Sequence, residues 1–344
     1  MVFLLVLTLL LGFYMAWNIG ANDVANAMGT SVGSKALTLK RAVLIAAVLE
    51  FAGAFFAGSN VCETIQHGIL APQTFAADPM VYVYGMMGAL LATGFLLQIG
   101  SYFGLPLSTT HAIVGGIVGF GVALGGVEAI YWGHLFWVGG SWIASPLISG
   151  LIAYAVFRSI SLMRKVPLTS SFPLQTEMEK PFVYLQIGSA CLMAFAHGAN
   201  DIANAIGPVA AVFEVLKTQT LESHAPIPSW LLAIGGLGIV LGLATWGWRV
   251  IETVGEKITE LTPTKGFSAE FGAACTILLA SKLGFPVSTT HALVGAVLGV
   301  GLTGGIRAIH FSTLKSIAIS WVVTIPLCAV LSIFSFYLLQ SLFG

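Results

Sequence analysis

The sequence is poor in charge. Only 8% of its 344 residues are Asp, Glu, Lys or Arg, against roughly a quarter in a typical soluble domain. With 57% hydrophobic residues, such a chain cannot cover itself with a water-soluble surface. The formal net charge is zero, so the composition indicates no nucleic acid partner. The four cysteines lack metal-like spacing, and we interpret them as small apolar residues.

The sequence also lacks the alternating ten-residue segments of a membrane β-barrel. It has instead apolar stretches of twenty or more residues, and each can cross a hydrocarbon core of about 30 Å as a helix. The sequence therefore predicts an all-α integral membrane protein, with the lipid bilayer as a partner.

Two motifs occur twice, in the same order. Gly20–Gly29 recurs as Gly198–Gly207 at an offset of 178, and Gly104–Gly115 recurs as Gly284–Gly295 at an offset of 180. Matches at nearly one offset indicate a duplication. The predicted parts are a first repeat, a short linker and a second repeat, over residues 1–157, 158–180 and 181–344.

Basic residues suggest that the two repeats have opposite orientations. The loop after the first motif carries Lys35, Lys40 and Arg41, whereas its counterpart in the second repeat has only Lys217. Lys and Arg mark the cytoplasmic side. About five crossings per repeat place 12 of the 14 basic residues inside. This predicts two inverted-topology repeats in the cell membrane, with both termini outside and the linker in the cytoplasm.

Inverted repeats recur in secondary transporters, whose substrate site lies near the midplane beside broken helices. We therefore expect broken helices or re-entrant segments at the midplane. The predicted membrane crossings include residues 42–61, 105–126 and 284–306.

The first motif places carboxylates inside apolar spans. Placing the charged side chains of Asp23 and Asp201 there costs several kcal/mol of free energy unless they are paired or solvated. Asn26 and Asn204 follow three residues later, so each Asp–Asn pair shares one helical face. Carboxylate and amide oxygens suit a hard cation such as Na⁺. The alternative is a pair of buried Asp–Asn contacts that hold helices together.

The second motif predicts a helix that begins inside the membrane. Gly and Pro interrupt the preceding helix, and Pro106 and Pro286 fit the first turn of the next one. Such a helix start attracts anions through its unsatisfied N–H groups and its dipole. The hydroxyls beside it belong to Ser108, Thr109, Thr110, Ser288, Thr289 and Thr290. Alternatively, these residues only cap a kinked helix.

Other polar residues extend the two candidate sites. Asn22 and Asn200 could donate amide hydrogens to the anion. The candidate cation ligands are Asp23, Asn26, Asp201, Asn204, Ser108, Ser288, Glu63 and Glu252. An interfacial, water-exposed position explains the last two equally well.

His111 and His291 follow the hydroxyl clusters. They could relay protons or bind the ligand, but a hydrogen bond to a neighbouring helix is the favoured interpretation. The segments contain no nucleophile elbow and no zinc-like spacing, so we expect neither an enzyme, nor catalytic residues, nor a cofactor.

The paired Gly-Ala-Asn-Asp segments, each followed by Pro-x-Ser-Thr-Thr-His, resemble the inorganic phosphate transporter family over nearly the whole chain. The resemblance implies a phosphate symporter coupled to Na⁺ or H⁺, and a homodimer. It also implies one central site for phosphate and its coupling cations, formed by the Ser-Thr-Thr clusters with Asp23, Asn26, Asp201 and Asn204. Many members have a long hydrophilic segment between their halves, whereas the linker here is only about twenty residues long.

We therefore expect alternating access around one midplane site. Phosphate beside two aspartates is repelled unless cations intervene. Na⁺ is the preferred coupling ion, although protons could titrate the same aspartates. Sulfate and a metal–phosphate complex remain alternative substrates, and a passive anion channel is a less favoured alternative because such a channel gains nothing from fixed negative charge.

Overall fold

The computed structural model describes residues 1–103, 107–163, 179–221, 225–247, 262–304 and 311–344. These residues are predominantly helical, and within them the only β-type pairing is an isolated bridge between Leu70 and Ile130. The prediction of an all-α protein is confirmed.

Eleven α-helices are described, six in the first half and five in the second. Those of the first half are α1 (Val2–Gly33), α2 (Leu39–Ala57), α3 (Ser59–His67), α4 (Pro79–Phe103), α5 (Thr109–Gly125) and α6 (Trp132–Met163). Those of the second half are α7 (Lys180–Thr218), α8 (Ser229–Gly242), α9 (Pro263–Lys282), α10 (Thr289–Leu302) and α11 (Phe311–Phe343). Helix α8 continues into five residues of π-helix, Leu243–Gly247.

Six helical segments of the described chain are long and apolar enough to cross a membrane. They are α1, α4, α6, α7, α8 with its π-helical end, and Val322–Phe343 within α11. A seventh span is formed if α2 and α3 are taken together, although they are bent by 61° at Gly58. The broken helix that was predicted is thus present, within the crossing drawn at 42–61.

The crossings drawn at 105–126 and 284–306 need correction. Helices α5 and α10 have 17 and 14 residues, or about 25 and 21 Å, which is shorter than a hydrocarbon core of about 30 Å. The ten predicted crossings therefore do not correspond to ten membrane-length helices among the described residues. The cause is local, because each motif delays the start of its helix to the hydroxyl cluster.

The residue that starts each of these helices also differs from the prediction. Ser108 and Ser288 are the N-caps, and each hydroxyl oxygen accepts a hydrogen bond of 3.3 Å from the backbone N–H three residues on. Pro286 precedes the cap and does not lie in the first turn. Pro106 lies outside the described residues. The serine can fill the N-cap position because its oxygen satisfies a backbone donor that proline would leave unpaired.

The two halves pack on each other reciprocally. Helix α1 contacts α8 while α2 contacts α7, and α5 contacts α11 while α6 contacts α10. Two of the close approaches occur at Gly20, beside the backbone of Ile239, and at Gly198, beside the backbone of Glu50. A Cβ atom at either glycine would overlap the carbonyl group opposite. The motif glycines thus let helix backbones touch, which places the polar residues that follow at the centre of the fold.

Candidate functional site

Both motif aspartates are buried where α1 and α7 meet the starts of α5 and α10. Asp23 is 2% exposed and Asp201 is 1% exposed. Oxygens of these two carboxylates and a ring nitrogen of His197 lie within 4.8 Å of one another. None of the described lysine or arginine side chains is buried. Two carboxylates therefore meet at the centre of the protein, and none of the described lysine or arginine side chains is buried with them.

In the first copy, hydrogen-bond donors surround Asp23. Its Oδ1 accepts from the amide of Asn22 at 2.9 Å and from that of Asn26 at 3.4 Å, and its Oδ2 accepts from the hydroxyl of Thr109. Ser101 of α4 donates to Oδ1 of Asn22 at 3.0 Å, which orients that amide. Both carboxylate oxygens of Asp23 are thus engaged.

In the second copy, the carboxylate of Asp201 is engaged on one side only. Its Oδ2 lies 2.9 Å from the hydroxyl of Thr289 and 2.9 Å from Nε2 of His197. Its Oδ1 has no hydrogen-bond partner within the described part of the chain. The equivalent hydroxyl contact, from threonine to aspartate, therefore occurs in both copies, whereas the remaining contacts differ.

The copies also bond to each other. The amide of Asn26 donates to the hydroxyl of Thr290 at 2.9 Å, and the amide of Asn204 donates to the hydroxyl of Thr110 at 3.3 Å. Each asparagine on a motif helix thus reaches the hydroxyl cluster of the opposite half. The side chains that the sequence places 94 and 264 residues apart form one group. We call this group the central cluster, and its members are Asp23, Asn26, Thr109, Thr110, His197, Asp201, Asn204, Thr289 and Thr290.

The starts of α5 and α10 face each other beside the central cluster. The rings of His111 and His291 meet edge to face, with centroids 4.5 Å apart, and the Trp142 ring lies 4.1 Å from that of His111. Nδ1 of His291 lies 3.4 Å from the backbone oxygen of Trp142. This last contact joins α10 to α6 and is of the kind favoured for these histidines from the sequence.

In the segment before α10, three consecutive backbone carbonyl oxygens accept hydrogen bonds from three different helices. The oxygen of Phe285 accepts from Asn200 at 3.2 Å, that of Pro286 from the indole of Trp142 at 2.9 Å, and that of Val287 from Thr110 at 3.1 Å. An extended backbone inside the membrane needs such partners, because lipid supplies none. The hydrogen bonds hold this segment against both halves.

Three buried side-chain oxygens of α7 have no hydrogen-bond partner among the residues that the structure describes: Oδ1 of Asn200, Oδ1 of Asp201 and Oδ1 of Asn204. These residues are at most 1% exposed, and their spacing places them on one side of the helix. Unsatisfied buried acceptors are costly and call for an explanation. A cation satisfies acceptor oxygens without requiring a further donor.

Glu63 lies apart from the central cluster. It is exposed on α3 and lines a cavity of about 290 Å³ with Asn60, Gln66, His67 and the segment 225–227, none of which belongs to the cluster. Glu252, its counterpart, lies outside the described residues.

His197 and Glu50 are the residues that sequence reasoning did not place in the site. Glu50 is fully buried on α2, and its Oε1 lies 3.2 Å from Nδ1 of His197. The position of His197, directly before Gly198 and four residues before Asp201, would have put its side chain on the face of that aspartate. No sequence pattern indicated the contact with Glu50, because the two residues are 147 positions apart and lie on different helices.

Glu270 forms a second buried polar group. On α9, its oxygens accept from Thr30 at 2.5 Å, Ser31 at 2.6 Å, Ser189 at 2.6 Å and Gln186 at 3.4 Å. These donors come from α1 and α7, so the carboxylate ties three helices together away from the central cluster.

Membrane-length helices that surround buried carboxylates, with hydroxyl-capped helix starts beside them, are the features of a multi-pass membrane transporter. This chain belongs to the phosphate transporter family, whose family model matches residues 19–332. It is a transporter and not an enzyme.

Similar proteins cover nearly the same length. A protein named as a phosphate permease in Thermococcus kodakarensis is 44% identical, over 98% of each chain. An inorganic phosphate transporter of Arabidopsis thaliana, described as chloroplastic, is 42% identical over 95% of this chain and 70% of its own. A solved structure titled as the sodium-dependent phosphate transporter shares 37% identity and a TM-score of 0.91, over 98% of this chain and 99% of its own.

Proposed function

We propose that the protein imports inorganic phosphate by symport with a cation, Na⁺, through alternating access at one central site between its two halves. The family and its sodium-dependent structural relative support this function. The observation on which it depends most is the meeting of both motif copies in the central cluster, where carboxylates and hydroxyls from distant parts of the chain converge.

Phosphate would be held by hydroxyl, amide and backbone donors. The starts of α5 and α10 supply N–H groups and the positive ends of two helix dipoles, which favour an oxyanion. The side chains assigned to phosphate, with the two motif aspartates at the edge of its site, are Asn22, Asp23, Asn26, Ser108, Thr109, Thr110, Asn200, Asp201, Asn204, Ser288, Thr289 and Thr290.

Cations would bind between phosphate and the carboxylates. Asp23 and Asp201 provide the charge, while Asn26, Asn204, Ser108 and Ser288 provide neutral oxygens. The unpartnered oxygens on α7 support this assignment. Phosphate carries negative charge, so its approach to two buried carboxylates is unfavourable until Na⁺ intervenes. Coupling then follows from reciprocal linkage, because each ligand increases the affinity for the other.

The same proposal assigns the arrangement in the membrane. Residues 1–157 and 181–344 form two inverted repeats, with the linker 158–180 in the cytoplasm and both termini outside. The protein resides in the cell membrane as a homodimer. Glu63 and Glu252 are proposed as outer cation ligands, although Glu63 is separate from the central cluster.

Uptake by proteoliposomes tests this function. We expect an imposed Na⁺ gradient to concentrate labelled phosphate inside liposomes that contain the protein. Asp23→Asn and Asp201→Asn should each reduce this uptake at least about tenfold, since each removes a cation ligand. Asp78→Asn is the matched control, because Asp78 is exposed in a loop before α4. Uptake by either motif variant equal to that of the control would contradict the proposed site.

The same preparation separates the alternatives. Uptake driven by a proton gradient without Na⁺ would identify the proton as the coupling ion. Competition by sulfate would indicate sulfate as a substrate, and a requirement for a divalent metal would indicate a metal–phosphate complex. Equilibration of phosphate without accumulation would indicate a passive channel and overturn symport.

A further inference from the structure

The side chain of His197 is fully buried and contacts two carboxylates. Its Nε2 lies 2.9 Å from Oδ2 of Asp201, and its Nδ1 lies 3.2 Å from Oε1 of Glu50. Asp201 lies on the same helix one turn later, whereas Glu50 comes from α2. The imidazole ring therefore connects the central cluster to a second helix.

The backbones of α2 and α7 fix the position of this ring. They touch at the adjacent residue, where a Cβ on Gly198 would overlap the carbonyl oxygen of Glu50. The carboxylate of Glu50 is fully buried, and neither of its oxygens has a hydrogen bond from any described group apart from this contact with His197. An unpaired carboxylate in that position would be very unfavourable, so the contact is expected to persist.

The first copy lacks this arrangement. Ile19 precedes Gly20 just as His197 precedes Gly198. The residue that faces Gly20 is Ile239, in the place that Glu50 takes opposite Gly198. An apolar isoleucine pair thus replaces the histidine and the glutamate. The two motif aspartates are consequently held by different means, since the hydrogen bonds of Asp23 within the described residues come from Asn22, Asn26 and Thr109.

The consequence for Asp201 concerns its two oxygens. Thr289 and His197 both contact Oδ2, while none of the described residues forms a hydrogen bond with Oδ1. A carboxylate free to rotate would exchange these oxygens. With Oδ2 fixed on two sides, Oδ1 keeps its position on α7, the helix that also carries the side-chain oxygens of Asn200 and Asn204 without a described partner.

We propose that His197 is a positioning residue, whose contact with one oxygen of Asp201 leaves the other oxygen available to the transported cation. This inference rests on the proposed function, because it assigns the geometry of its cation site. The first half would bind its cation without such a device, so the two halves contribute unequally.

Two substitutions separate the two contacts of His197. In His197→Gln, the amide nitrogen can take the place of Nε2 and still donate to Asp201, but the contact with Glu50 is lost. In His197→Asn, the shorter amide can replace Nδ1 and donate to Glu50, but it does not reach Asp201. Each variant thus loses one of the two contacts, and a role confined to folding predicts similar effects.

Sodium-driven phosphate uptake in proteoliposomes is the main measurement. We expect the Na⁺ concentration for half-maximal uptake to rise about tenfold in His197→Asn and to stay within about threefold of the original protein in His197→Gln, because only the former loses the charged hydrogen bond to Asp201. His134→Gln, at an exposed position on α6, is the control.

An unchanged Na⁺ requirement in both variants, or an equal increase in both, would overturn the inference. Should either variant fail to fold, the double variant His197→Ile with Glu50→Ile copies the first half and removes the buried carboxylate. It too should need about tenfold more Na⁺, and an unchanged requirement would refute the positioning role.

A second measurement keeps this inference separate from the proposed function. In detergent without phosphate, Na⁺ should raise the thermal unfolding temperature, and the concentration needed should shift by the same factors in each variant. If the original protein accumulates no phosphate, the proposed function fails, whatever the variants show. If it does accumulate phosphate but the variants do not differ, only the inference fails.

Discussion

Asn26 and Asn204 show how single side chains join the two copies. Each donates its amide hydrogen to a threonine of the other copy, Thr290 and Thr110 respectively. Both asparagines are polar groups on largely buried helices, so a lost partner leaves a buried donor or acceptor unsatisfied. The bonds therefore contribute to stability as well as to the shape of the site.

A double-mutant cycle measures the first of these bonds. Asn26→Ala and Thr290→Ala should each destabilise the protein, and the pair should show a coupling of about 0.5–1.5 kcal/mol, since the second substitution removes a partner that is already lost. Unfolding in detergent gives the free energies. Asn26→Ala with Thr110→Ala is the comparison, because the amide of Asn26 is bonded to Thr290. Additivity in both pairs would argue against the cross-copy bond.

The residues that meet in the central cluster were predictable where the sequence repeats. The duplication singled out the aspartates, asparagines and hydroxyl clusters, and these residues meet in the structure. It could not single out His197, because repetition draws attention to what the copies share, and the first copy has Ile19 at that position. Nor could it pair His197 with Glu50, since that contact depends on how α2 crosses α7.

At the scale of elements, close backbone contact between helices sets the position of the motifs. Helix α7 touches α2 at Gly198, and α1 touches α8 at Gly20. The spacing of apolar residues predicted the helices, but not these crossings. Broken helices were predicted, but the bend was not located at Gly58 and α5 and α10 were predicted as full crossings, because hydropathy reports how apolar a segment is and not where its axis turns.

Gly198→Ala tests the importance of such a crossing. The added methyl group would overlap the backbone of Glu50, so the helices must separate, and we expect a loss of about 1–3 kcal/mol in stability. The thermal unfolding temperature should fall accordingly. Gly139→Ala on α6 is the matched control, since nothing lies within 4 Å of its added Cβ, and alanine favours a helix. Equal stability of the two variants would refute close backbone packing as the cause.

At the scale of the whole molecule, reciprocal contacts between the halves agree with the duplication. The opposite orientation of the halves is a prediction from basic residues in loops, and it concerns which side of the membrane each helix end occupies. The ends of α1 and α7 are the most useful points, because Lys35 and Gln219 follow them in equivalent, exposed connections.

Cysteine labelling tests that orientation. The native cysteines must first be replaced, and they are Cys62, Cys191, Cys275 and Cys328. In intact cells, a membrane-impermeant maleimide should label Gln219→Cys, whereas Lys35→Cys should react only after permeabilisation. Modification detected by mass change gives the result. Labelling of both positions from one side would rule out inverted repeats.

The reciprocal hydrogen bonds from the asparagine amides of each copy to the other copy have an evolutionary consequence. A protein that contained a single copy could complete these bonds only by associating with a second molecule, at a rate and extent set by its abundance in the membrane. Fusion of two genes would have converted that encounter into an intramolecular one with a high effective concentration. Once joined, the copies were free to diverge, and His197 with Glu50 in one and Ile19 with Ile239 in the other record that divergence.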